Sequence, residues 1–136
     1  MAPVRTHKDL LVWRKAVSLA SRVYELTAQF PSYDLQTLAS QMRRCAVSVA
    51  SNIAEGAACG SRIEYLRHLN IARSSLSELE TQACICTDLQ MVELGAQLDE
   101  LVTEVGRMLS AMIRRLRENR DKARGFVDPL RPPTSH

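Results

Sequence analysis

The sequence predicts an all-α protein, an up-down antiparallel four-helix bundle, and three observations carry that reading. Apolar residues recur at alternating three- and four-residue spacing in four successive segments, the signature of helices with one buried face. The five glycines and five prolines fall mostly between those segments or near the end of the chain. Runs of β-branched and aromatic residues with period two, which would mark strands, are absent. At 136 residues the chain forms one domain large enough for a single hydrophobic core. Residues 1–124 are assigned to the bundle and 125–136 to a flexible proline-containing tail.

The first helix is expected over about 8–29, with Leu10, Trp13, Val17, Ala20, Tyr24 and Thr27 as its inward stripe. Phe30-Pro31 ends it, because proline cannot continue the hydrogen-bond ladder. Asp34 is then expected to cap the second helix, whose stripe runs through Leu35, Leu38, Met42, Cys45, Val49 and Ile53 and stops near Gly56–Gly60. Ser61-Arg62-Ile63-Glu64 has the form of a capping box at the start of the third helix. That helix carries Leu66, Leu69, Ala72, Leu76, Leu79, Ala83 and Cys86 inward. After a break around Leu89–Gly95 the fourth helix places Leu94, Leu98, Leu101, Val105, Met108, Met112 and Leu116 on one arc. The expected core comprises Trp13, Val17, Leu38, Met42, Val49, Leu69, Leu76, Leu101, Val105 and Met112.

The second helix is the most informative. From Cys45 to Ala54 ten consecutive residues are uncharged, so every side of the helix is uncharged over almost three turns. A four-helix bundle hides only part of each helix, so another subunit is expected to cover the outer side. Val47, Ser51 and Ala54 are small enough there to admit a neighbouring helix and are assigned to an oligomer interface. The alternative is a surface that is merely small-sided. Asn52 lies at the rim of the apolar arc, Glu55 projects away from it, and Gly56 allows close packing or ends the helix.

Several classes of chemistry have no residues to support them. The chain lacks a glycine-rich phosphate loop, a nucleophile elbow and cysteine pairs at zinc spacing. His7, His68 and His136 are isolated, with His68 read as a solvated helix residue, and Glu64 precedes it by four positions rather than the three of a bundle di-metal motif. Glu78 and Glu80 diverge on their helix. Cys45, Cys59, Cys84 and Cys86 are too scattered for a disulfide framework and are expected to be small buried side chains. The prediction is therefore a non-enzyme without cofactor or metal. With no signal-like start and no apolar run of membrane-spanning length, it is placed in the cytoplasm and off the membrane.

The net charge of +3 conceals an asymmetry: residues 61–106 carry three basic against eight acidic side chains, residues 107–136 eight against three. Fifteen of the 18 basic residues are arginines, whose planar fork matches phosphate.

Particular segments resemble a known family. They are Leu10-Leu11-Val12-Trp13-Arg14-Lys15-Ala16, Gln41-Met42-Arg43-Arg44-Cys45-Ala46, Ser51-Asn52-Ile53-Ala54-Glu55-Gly56, and the stretch from Ile71 to Glu80. In this order they are similar to the four-helix-bundle proteins encoded by intervening sequences within bacterial large-subunit ribosomal RNA genes. Trp13, Asn52, Glu55 and Gly56 are the structural motif residues on this reading. Ser74 departs from the family's usual glycine. The resemblance implies a cyclic homo-oligomer, a barrel-like pentamer. It also implies kinship with the accessory variability determinant of diversity-generating retroelements, which binds nucleic acid and a reverse transcriptase.

Two functions follow. One is electrostatic, weakly sequence-selective binding of RNA or DNA through Arg114, Arg115, Arg117, Arg120 and Arg124, with Arg43 and Arg44 secondary. Trp13, Tyr24 and Phe30 are read as core, which disfavours base stacking. The alternative is a protein-interaction scaffold that docks a partner such as a reverse transcriptase, the basic end being a solvated helix terminus.

Overall fold

The computed structural model describes residue 7 and residues 10–124, with the backbone alone for 120–124. Its elements are α1 (Leu11–Thr27), a 3-10 turn (Tyr33–Leu35), α2 (Gln36–Ala58), α3 (Arg62–Asp88) and α4 (Val92–Arg124). Among the described residues there is no strand, and no helix is long and apolar enough to cross a membrane. Each helix packs on its two neighbours in the cycle α1–α2–α3–α4, the seams on either side of α3 being the most extensive. Leu19, Met42, Val49, Ile53, Leu69, Leu79, Leu98 and Leu109 meet at the centre, fully buried. Short connections between successive helices force the antiparallel order.

The α3 stripe is buried as expected at every position, from Leu66 to Cys86. Ser61 caps that helix by accepting the Glu64 N–H at 3.4 Å. The reciprocal half of the box is not formed, because the Glu64 carboxylate takes Arg67 Nε at 2.9 Å instead. The α2 cap differs from expectation: Ser32 Oγ accepts the Asp34 N–H at 3.2 Å and starts a 3-10 turn, and α2 follows directly without a side-chain cap.

Two helices are rotated from their expected register. In α1 the buried stripe is Val12, Ala16, Leu19, Val23 and Leu26, and of the expected stripe Thr27 alone is fully buried with it. Val17 and Tyr24 are exposed and Trp13 is half-buried. Both stripes have helical spacing and lie about 100° apart. The slim aliphatic one enters the core, and the bulkier one, with a phenol that prefers a wet tip, stays outside. In α4 the deepest positions are Leu98, Val102, Val105, Leu109 and Ile113, while Leu101, Met108, Met112 and Leu116 are half-buried. Gly95 decides that rotation. It lies inside α4 rather than in a break, pressed so closely on Ala83 and Thr87 that α4 turns its Gly95 side toward α3. Leu38 is likewise half-buried.

Salt bridges and polar contacts set the alignment of α4 on α1: Lys15 Nζ meets Glu104 Oε1 at 2.9 Å, and Arg22 Nη2 donates to Gln97 Oε1 at 2.7 Å. By that register the start of α1 lies level with about residue 108, so the last turns of α4 run beyond it. Arg114, Arg115 and Arg117 sit on those turns.

Candidate functional site

The outer side of α1 and α2 is apolar and open. Val17 (38% exposed), Tyr24 (49%) and Val47 (44%) line a shallow groove with Ala20, Ala50 and Ser51. Two of the three residues assigned to an interface, Val47 and Ser51, are exposed in it. Ala54, one turn on, is half-buried. The sequence reading of α1 missed this groove because it turned Val17 and Tyr24 inward.

One end of the groove is basic. Arg43 Nε donates to Thr27 Oγ1 at 2.8 Å, and its guanidinium lies 4.7 Å from the centre of the Tyr24 ring. The Thr27 hydroxyl in turn donates to the Val23 carbonyl at 2.7 Å. Arg43 is therefore fastened to α1, whereas Arg44 is exposed. The two candidate arginine groups do not form one patch within a subunit. Arg44 lies two turns into α2 and Arg114 six turns into α4, and both helices start at the same end of the bundle. At 1.5 Å per residue the two are about 20 Å apart along the axis.

The distal group is Arg114, Arg115 and Arg117, all exposed and without a carboxylate within 4.0 Å among the described residues. The side chains of Arg120 and Arg124 lie outside the described residues. The α3–α4 register places Gly95 against Ala83 and Thr87 and so brings the first turn of α3, with exposed Arg62, to the same end. Arg62 was overlooked because its nearness depends on that register.

The motif residues of α2 lie along its contact with α3. Asn52 Nδ2 donates to Ser48 O at 2.9 Å and to Ser48 Oγ at 3.1 Å, and Ser75 Oγ donates to Ser48 Oγ at 3.0 Å, which ties α2 to α3. Gly56 is buried where α2 crosses Tyr65 and His68; a Cβ there would stand 2.9 Å from His68 Cβ. His68 is buried rather than solvated, a correction to the sequence reading. Its Nδ1–H donates to Glu64 O at 2.8 Å, and Nε2 faces Glu55 Oε2 at 3.5 Å. Among the described residues no group of three or more His, Cys, Asp or Glu side chains is placed to hold a metal ion. Trp13 is half-buried against the core, edge-on to His7 at 4.9 Å.

A second polar cluster joins α2 and α3. The Cys45 thiol donates to Glu78 Oε2 at 2.9 Å, and Gln82 Nε2 donates to Cys45 Sγ at 3.7 Å. Burial, then the hydrogen bond to the Glu78 carboxylate, pushes the Cys45 thiol up to about 11. Gln82 Oε1 is buried without a partner among the described residues. Cys86 is buried, but Cys59 and Cys84 are exposed, contrary to expectation. The four-residue spacing of Glu78 and Gln82 was visible in the sequence; that Cys45 lies opposite them was not.

The family model for 23S rRNA-intervening sequence proteins matches residues 8–111. A solved crystal structure, of a protein with unknown function from the S23 ribosomal protein family of Bacteroides thetaiotaomicron, is similar with a TM-score of 0.69 and 23% identity. The match covers 76% of this chain and 96% of that one. At that identity the likeness is one of fold. No curated protein matches the sequence.

Proposed function

The chain belongs to the 23S rRNA-intervening sequence protein family, and from that premise and its surface we propose a non-enzymatic, cytoplasmic homo-oligomer that binds nucleic acid through phosphate contacts. The observation that carries the nucleic-acid reading is the exposed triad Arg114, Arg115 and Arg117 on the last described turns of α4. Arg62 supports it from the start of α3. Arginine forks fit phosphate oxygens, and such contacts release counterions whatever the base sequence. The self-assembly reading is supported by the apolar groove of α1 and α2, which a solitary subunit leaves in water. Five subunits is the number the resemblance implies. A ring repeats each arginine group around its axis and so concentrates positive potential.

The test is binding of a labelled RNA stem-loop and a DNA duplex at about 50 and 200 mM salt, the range over which multiple phosphate contacts lose orders of magnitude in affinity. Replacing Arg114, Arg115 and Arg117 together by Ala should weaken both ligands alike and flatten the salt dependence without changing the oligomer mass. Tight binding that survives the triple change and high salt refutes the assignment of this surface. Absence of binding by the wild type at low salt refutes the nucleic-acid function and favours docking of a partner protein.

A further inference from the structure

A closed ring of three or more copies needs two different faces on each subunit, and the groove of α1 and α2 offers one. The outer side of α3 offers another. Ile71, Ser74, Glu78, Thr81 and Ile85 follow one another at spacings of three, four, three and four residues, and all five are exposed. This is the pattern of a helix–helix seam facing outward. Two isoleucines, 38% and 40% exposed, flank a single carboxylate. Thr81 Oγ1 donates to its own helix at Ser77 O, 3.1 Å away, so its hydroxyl already has a partner and can be covered. Because Glu78 contacts Cys45, the stripe lies on the side of α3 that adjoins α2.

The outward stripe of α2 has the same grammar with the opposite charge. Ser40, Arg44, Val47, Ser51, Ala54 and Ala58 are spaced four, three, four, three and four, with one cation among small and apolar residues. Neither Arg44 nor Glu78 has an oppositely charged group within 4.0 Å among the described residues. Glu78 engages Cys45 through Oε2, which leaves Oε1 to accept.

We propose that α3 of one copy lies in the groove between α1 and α2 of the next, Glu78 meeting Arg44 of the neighbouring subunit while Ile71 or Ile85 enters the apolar floor at Val17 and Val47. Two residues of α3 separated by seven lie about 10 Å apart along the helix. An isoleucine therefore lands near Ser51 when Glu78 is at Arg44, since Arg44 and Ser51 are also seven apart. The two faces occupy neighbouring sides of the four-helix cycle, neither coincident nor diametrically opposed. Head-to-tail joints between such faces turn each copy relative to the last, and they close a ring when that turn divides a full circle without a net rise. This assigns Arg44 to assembly rather than to nucleic acid, and it rests on the self-assembly reading above.

The experiment is light scattering on the wild-type chain, Arg44→Glu, Glu78→Arg and an equimolar mixture of the two variants. Each variant alone places like charges at every joint and should dissociate at least tenfold more readily than wild type. In the mixture each variant supplies the charge the other needs, so the two should associate with one another. Variants that keep the wild-type mass overturn the proposal. A mixture that stays dissociated also overturns it, because the two residues would then act within one chain. The double variant Ile71→Ser with Ile85→Ser tests the same joint without a charge change, with the circular dichroism spectrum as a check on folding; an unchanged mass counts against the proposal. A wild-type chain that is monomeric at micromolar concentration removes the self-assembly reading itself, which is distinct from an intact oligomer indifferent to these substitutions.

Discussion

Two glycines in α4 should respond unequally to the same substitution. Gly106 has open space where a Cβ would stand, with nothing within 4 Å. Gly106→Ala therefore gains only helix propensity and should stabilise the fold by roughly 0.5–1 kcal/mol. Gly95 has the same propensity to gain, but its added Cβ would collide with Thr87 Oγ1 and stand 2.8 Å from the Ala83 carbonyl oxygen. A carbonyl inside a helix cannot swing aside, so α3 and α4 must separate by several tenths of an ångström. Overpacking of this kind costs about 1–3 kcal/mol, which offsets or exceeds the propensity gain. The two variants should thus differ by roughly 1–3 kcal/mol, with Gly95→Ala the weaker. Urea denaturation followed by circular dichroism measures the difference, at one fixed protein concentration because self-assembly makes apparent stability concentration-dependent. Equal stability of the two variants would refute the close crossing of α3 and α4, and with it the rotation of α4.

Leu76→Ala should cost about 2–5 kcal/mol, since Leu76 is 3% exposed; Val17→Ala should cost less than about 0.5 kcal/mol in subunit stability while weakening self-association, and the same denaturation and scattering measurements separate the two. The Cys45 thiol should make the fold sensitive to alkali. Its ordinary value is 9.0 and the fold raises it to about 11, so the unfolded chain ionises first. The stabilising contribution is intact below pH 9 and is lost as the pH rises toward 11. Cys45→Ala should show a shallower decline over that window in urea titrations, and an identical decline would refute the assignment to Cys45.

Local patterns sufficed for much of this protein. The four apolar stripes dictate four helices, because burying one face of each is the only way to shelter them. Ser61 at the start of α3 and proline after α1 mark ends by backbone chemistry that needs no neighbour. The uncharged stretch of α2 likewise pointed outward from a single chain, and Val47 and Ser51 are indeed exposed. Register was beyond reach where the apolar arc of a helix is broader than the face the bundle can cover. In α1 two stripes of equal spacing compete, and only the shape of the interior left by the other helices selects Val12 to Leu26 over Trp13 to Tyr24. In α4 the contact of Gly95 with Ala83 makes the same kind of choice. The polar pairings, Cys45 with Glu78 and Glu55 with His68, depend on which turns of α2 and α3 lie opposite each other. The sequence alone therefore determined the helices and their order, because hydrophobic spacing and backbone chemistry act within a segment. The tertiary structure decided which way each helix faces and which charges meet, because those depend on how side chains from separate helices share one interior.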